Sequence, residues 1–178
     1  MTEARLPEPW LRGTLTDVAA VPRAVLHALE LAKDDLQYWC GSLTDEELNL
    51  EFQGIAPAAF HLRHIARSID RLLTYADGNE LDATQIAALK SEKSAGATHD
   101  QLFGDLDASF ASAAERIRAL GLNSLNEGRA VGIKKLPTTV GGLLVHVADH
   151  TQRHVGQAVT TAKFVRALRN ATNDPAGG

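Results

Sequence analysis

Residues 138–166 read TTVGGLLVHVADHTQRHVGQAVTTAKFVR, and the reading of this stretch decides the fold. His146, His150 and His154 stand four residues apart. On a helical wheel they fall at about 0°, 40° and 80°. Leu143, Val147, Phe164, Val165 and Leu168 occupy much the same sector, so the wheel places the three histidines inside a core-facing stripe. A buried imidazole must find a hydrogen-bond partner or a metal ion. A pair at i and i+4 puts two imidazoles on adjacent turns, close enough to grip one ion, as in zinc metalloproteases. The pair His150/His154 is therefore a candidate metal grip on a long last helix, expected to open at Pro137 and run to about Arg169.

Outward from there, three more long helices are legible. The first spans about Asp17 to Trp39, with Val18, Val25, Leu26, Leu29 and Leu36 at helical spacing and Gly41 as its stop. The second spans about Ala58 to Ala76, striped by Ile65, Ile69, Leu72 and Leu73 and stopped by Gly78. The third spans about His99 to Leu120, with Leu102, Leu106, Phe110 and Ile117 on its inner face and Gly121 as its end. Leu43–Glu47 reads as a turn or short helical step, and Thr84–Lys90 as a short connecting helix. Arg129–Ile133 is a β-like patch read as a joint between helices. The fold class expected is all-α, a four-helix bundle with short connecting helices. One domain covers residues 1–178, with 1–16 an irregular lead-in and 170–178 a flexible tail.

Composition narrows the function. The chain has 178 residues, 44% of them hydrophobic, which is enough for one sizeable core. Lys plus Arg number 18 and Asp plus Glu 22, a net charge of −4 that argues against a nucleic-acid surface. No run approaches the length of a membrane span, and Met1–Pro9 lacks the basic and apolar parts of a signal peptide. A cytoplasmic home is expected, with Cys40 as a small buried hydrophobe rather than a reactive thiol. There is no Glu-x-x-His, which disfavours a di-iron carboxylate bundle, and there is no phosphate loop or nucleophile elbow. The pair Gly141-Gly142 fits close helix packing better than phosphate binding.

Two imidazoles rarely complete a site, so a third ligand is needed. The second helix offers His61 and His64 in FHLRHIA, residues 60–66. The wheel leans to His61, nearer the centre of the apolar stripe, with His64 at its edge beside Ser68 and Tyr75. His99 stands at an expected helix start beside Asp100, and His27 has no partner in sequence; both read as structural. Asp149 adjoins His150, but the wheel turns it off the histidine face.

The segments 60–75 (FHLRHIARSIDRLLTY) and 138–166 resemble the DinB-like, or YfiT-like, superfamily, and the resemblance runs over most of the chain. It is most specific at His-Ile-Ala on the second helix and His-x-x-x-His-x-Gly-Gln on the last. The resemblance implies a four-helix bundle binding one divalent metal through three histidines, carried onto His64, His150 and His154. On this point it departs from the wheel. It favours zinc, with nickel as the alternative; a homodimer is expected because bundles of this size commonly pair. The resemblance also implies hydrolase or thiol S-transferase chemistry on a small molecule, some members using a low-molecular-weight thiol as cosubstrate. His61, His146, Tyr75 and Gln157 are then candidates for supporting the ligands or lining a substrate pocket. The alternatives are a non-catalytic metal-binding bundle and a metal-free one with hydrogen-bonded histidines.

Overall fold

The computed structural model describes residues 5–120 and 124–173. Gly121, the start of the lead-in and the end of the tail lie outside the described residues. Six helices and one hairpin follow in chain order: α1 (Ala20–Cys40), α2 (Asp45–Leu48), α3 (Ala58–Ala76), α4 (Ala83–Lys90), α5 (His99–Ala119), β1 (Gly128–Val131), β2 (Leu136–Thr139) and α6 (Val140–Asn173). A short 3-10 turn at Pro9–Leu11 packs on α1. The four long helices are those expected. The longest, α6, lies against both α3 and α1; α3 also packs on α5, and α5 reaches back to α1.

Local chemistry explains most of the boundaries. Helices α2, α4 and α5 each begin in a reciprocal capping box: Thr44 with Glu47, Asp82 with Gln85, and Thr98 with Gln101. Helix α3 ends at Gly78, whose φ of +85° suits a residue without a Cβ. There Gly78 N–H donates to the Tyr75 carbonyl and Asn79 N–H to the Thr74 carbonyl, closing a Schellman motif. Gly41 caps α1 differently, in the right-handed helical region at φ −64°, so its lack of a Cβ is not what stops that helix.

Between α5 and α6 the structure corrects the sequence reading. The patch around Arg129–Ile133 is a strand, not a joint: β1 pairs antiparallel with β2, Ala130 opposite Pro137. Pro137 therefore lies in β2 and does not open the last helix, which starts at Val140. Proline is compatible with a two-stranded hairpin, where each strand has a free edge. Gly132, at φ +69°, and Lys135, at φ +49°, turn the chain, with Lys135 N–H on the Gly132 carbonyl. The hairpin delivers Gly141 onto residue 125. Gly141 N–H donates to the Leu125 carbonyl at 2.8 Å, and a Cβ there would stand 3.0 Å from that oxygen. The glycine pair thus serves a close approach of backbone to backbone.

The core fills the space between the long helices. Leu36, Leu62, Ile65, Ile69, Leu73, Leu102, Ile117, Leu144 and Val147 are fully buried within it. Cys40 is buried at 0% exposure, and burial pushes its thiol up to about 12. No helix among the described residues is long and apolar enough to cross a membrane.

Candidate metal centre

The centre of the α6 buried stripe runs through Val140, Leu144, Val147, Thr151, Val155, Ala158 and Ala162. The three histidines of α6 flank this stripe rather than lying inside it. His146 is exposed, and His150 and His154 are half-buried. The rings line the seam where α6 meets α3, and there they meet the histidines of the second long helix.

Three ring nitrogens, one each from His64, His150 and His154, lie within 4.8 Å of one another. The tightest pair is His64 Nε2 and His150 Nε2, 2.8 Å apart. His61 stands behind: its Nδ1 is 3.1 Å from His154 Nδ1, and its ring is 5% exposed. Phe60 stacks on His64 and sets its face beside His61 and His154. The centroid of His146 is 5.3 Å from that of His150, on the outward side, with Asp149 Oδ2 3.9 Å from its Nδ1. Asp149 itself is exposed and paired with Arg153, off the cluster.

The donor set fits a divalent ion. An ion about 2.0–2.1 Å from each imidazole nitrogen spaces neighbouring ligands by roughly 3.0–3.4 Å. The closest pair, at 2.8 Å, lies just under that spacing and no pair is farther apart than 4.8 Å, and all three must be unprotonated to coordinate. Burial, then the neighbouring charges of His154, His64, His146 and Arg153, lowers His150 to about 4. Burial, then His154 and His64, lowers His61 to about 4, and burial with His64 and Arg153 lowers His154 against an opposing pull from Glu92. At neutral pH His150 and His154 are thereby neutral lone-pair donors, with a neutral His61 behind them.

A carboxylate missed in the sequence completes the arrangement. Glu92 Oε2 lies 2.8 Å from His64 Nδ1, and its other oxygen accepts from Arg71. Glu92 is 5% exposed; burial pushes its pKa up, but the hydrogen bonds from His64 and Arg71 outweigh burial and hold it below the ordinary value. Glu92 sits just beyond α4, in a segment with no periodicity to mark it. Three arginines of α3, four residues apart, fasten that segment. Arg63 donates to the Glu92 and Ser94 carbonyls, Arg67 to the Ala88 carbonyl, and Arg71 to the Glu92 carboxylate. The repeat Arg63-x-x-x-Arg67-x-x-x-Arg71 was the one visible sign that something anionic or carbonyl-rich packs there.

The other expected residues divide. Gln157 is exposed and lines a cavity of about 450 Å³ with Ile55, Ala56, His61, Arg153 and Thr160. Tyr75 stands eleven residues beyond His64 on α3, roughly 16 Å along the axis, and so does not join the cluster. His27 bonds Thr14, and His99 bonds the Gly41 carbonyl and Asp100, as structural histidines do.

A helical bundle with a three-histidine cluster at the seam of two long helices defines a class of candidate metal-binding bundles. The DinB superfamily model matches residues 28–158, and the chain belongs to the DinB superfamily. A crystal structure of a conserved protein from Enterococcus faecalis is similar in fold, with a TM-score of 0.69 at 20% identity, covering 84% of this chain and 99% of that one. No curated protein matches the chain.

Proposed function

We propose that this chain is a metal-dependent enzyme acting on a small molecule, with one divalent ion held by His64, His150 and His154. The observation that carries the reading is the convergence of three imidazole nitrogens within 4.8 Å, from two helices, with no carboxylate among them. Imidazole donors suit zinc, nickel, copper or iron; zinc is proposed for its availability, with nickel as the alternative. Three protein ligands leave an open position, and an ion so held lowers the pKa of a bound water or thiol, supplying a nucleophile at neutral pH.

The remaining parts belong to the chain itself. His61 supports His154 from behind, and the cavity it lines is large enough for a small molecule. Arg153, Gln157 and Thr160 give that cavity polar walls. His146 is the exposed ring beside His150, free to meet what approaches from solvent. The chemistry proposed is hydrolysis or transfer of a low-molecular-weight thiol, and the assembly proposed is a homodimer.

The test is elemental analysis of untagged protein followed by paired assays. Stoichiometric zinc or nickel is expected, with ester or amide hydrolysis or thiol transfer that disappears in His150→Ala. Bound metal without turnover in either assay leaves the second reading, a binding module. Absence of stoichiometric metal, with no thermal shift on adding zinc or nickel, removes the proposal.

A further inference from the structure

Glu92 makes the shortest side-chain contact to the cluster from outside it. A carboxylate accepts hydrogen bonds and donates none when ionised. With Glu92 Oε2 2.8 Å from His64 Nδ1, that nitrogen carries the ring hydrogen, and Nε2 carries the lone pair. Nε2 is the atom turned toward His150. The carboxylate also cannot itself join the ligands, since it lies on the far side of the His64 ring and its second oxygen is taken by Arg71. Both residues are held from the same helix: His64 lies on α3, and Arg63 and Arg71 of α3 grip the backbone and carboxylate of Glu92.

We propose that Glu92 is a positioning residue for the candidate centre: by accepting the Nδ1 hydrogen of His64 it fixes that ring's tautomer and orientation, so that Nε2 is presented as a ligand. Carboxylate–histidine pairs behind metal ligands fix tautomer and raise ligand basicity in general, and their loss costs about 10–100-fold in metal affinity. His154 has a neutral imidazole, His61, in the corresponding place, so the ligands differ in what backs them. The proposal rests on the metal reading for its effect on affinity, but its claim about the tautomer stands without an ion.

The experiment uses the full chain, labelled with nitrogen-15 and freed of metal, in wild type, Glu92→Gln, Glu92→Ala and Arg71→Gln. Long-range proton–nitrogen correlation at neutral pH reads the tautomer of His64, and cobalt(II) titration reads affinity and the visible spectrum of the bound ion. The wild type is expected to show His64 protonated at Nδ1 alone. Glu92→Ala should lose the single tautomer, weaken cobalt binding by about 10–100-fold and change the cobalt spectrum. In Glu92→Gln the single carbonyl oxygen is claimed by Arg71, which only donates, so the amide NH2 faces His64 Nδ1 and should shift the ring toward the Nε2-protonated tautomer and weaken cobalt binding. Arg71→Gln removes one of the two partners that hold the carboxylate and should lower the Nδ1 preference and the cobalt affinity less than Glu92→Ala does.

An Nε2-protonated His64 in the wild type overturns the proposal. So does a Glu92→Ala variant with wild-type tautomer and affinity. If Glu92→Ala does not fold, the tautomer in wild type and Glu92→Gln decides. If the wild type shows the Nδ1 tautomer but binds no cobalt, the metal reading fails and the positioning role stands.

Discussion

Nδ1 of His61 lies 3.1 Å from Nδ1 of His154, so one ring supplies the hydrogen and the other the lone pair. His61 thus spends the nitrogen that faces the cluster on another histidine. His61→Ala is expected to keep one metal per chain with affinity reduced about 10-fold, the scale for residues that orient a ligand. His64→Ala, His150→Ala and His154→Ala should each abolish tight binding. Calorimetric zinc titration checks all four. Loss of binding in His61→Ala with retention in His64→Ala contradicts the ligand assignment.

The depressed histidines couple folding to pH. In the folded chain His61 and His150 titrate at about 4, against 6.5 ordinarily, chiefly through burial. Between those values the unfolded chain binds more protons than the folded one, so stability rises with pH across the window and is lost as pH falls through it. Metal-free protein should show a steady thermal midpoint above about pH 6.5 and a decline from there toward 4. A midpoint unchanged between pH 6.5 and 4.5 contradicts this.

Cys40 should be inert. Its burial at 0% exposure and a thiol raised to about 12 leave almost no thiolate at neutral pH. A chromogenic disulfide reagent is expected to label it only on unfolding in guanidinium. Rapid labelling of the native chain rules this out.

Thr151 is a second buried oddity. Its side chain is 1% exposed, and its hydroxyl has no hydrogen-bond partner among the described residues. Leaving a buried polar group unpaired costs about 1–3 kcal/mol. Valine keeps the shape without the hydroxyl, so Thr151→Val should match or raise stability in urea unfolding. A loss of more than about 1 kcal/mol means the hydroxyl has a partner of consequence.

The tight approach of Gly141 gives the opposite expectation. Any Cβ there meets the Leu125 carbonyl at 3.0 Å, and the same oxygen accepts the Gly141 N–H. Gly141→Ala is expected to destabilise by about 1–3 kcal/mol despite alanine's better helix propensity. Unfolding that is unchanged or more resistant contradicts the close contact.

How much of this was legible in sequence follows from how the order is encoded. The long helices were, because Leu26, Ile65, Leu106 and their neighbours repeat every third or fourth residue over several turns. The hairpin was not: β1 and β2 have four residues each, too few for a period, and Pro137 signals a helix start as readily as an edge strand. The wheel preferred His61 because it measures burial, and His61 is the more buried ring. Membership in the nitrogen cluster depends instead on the seam with α6, where the half-buried His64 stands. The same confusion put His146 inside the core face, when it lies at the solvent side of the seam. Glu92, 28 residues from its partner, had no local pattern to announce it.

The arginine ladder of α3 has a bearing on how this chain can change. Surface connections usually absorb insertions and deletions at small thermodynamic cost. The connection after α4 is tied at Ser91, Glu92 and Ser94 to Arg67, Arg71 and Arg63, and Glu92 is tied in turn to His64. Adding or removing one residue there would put a different side chain behind His64. Residues 91–94 therefore have a fixed length, unlike an ordinary surface loop, and a lineage that varied it would have to replace the carboxylate from elsewhere.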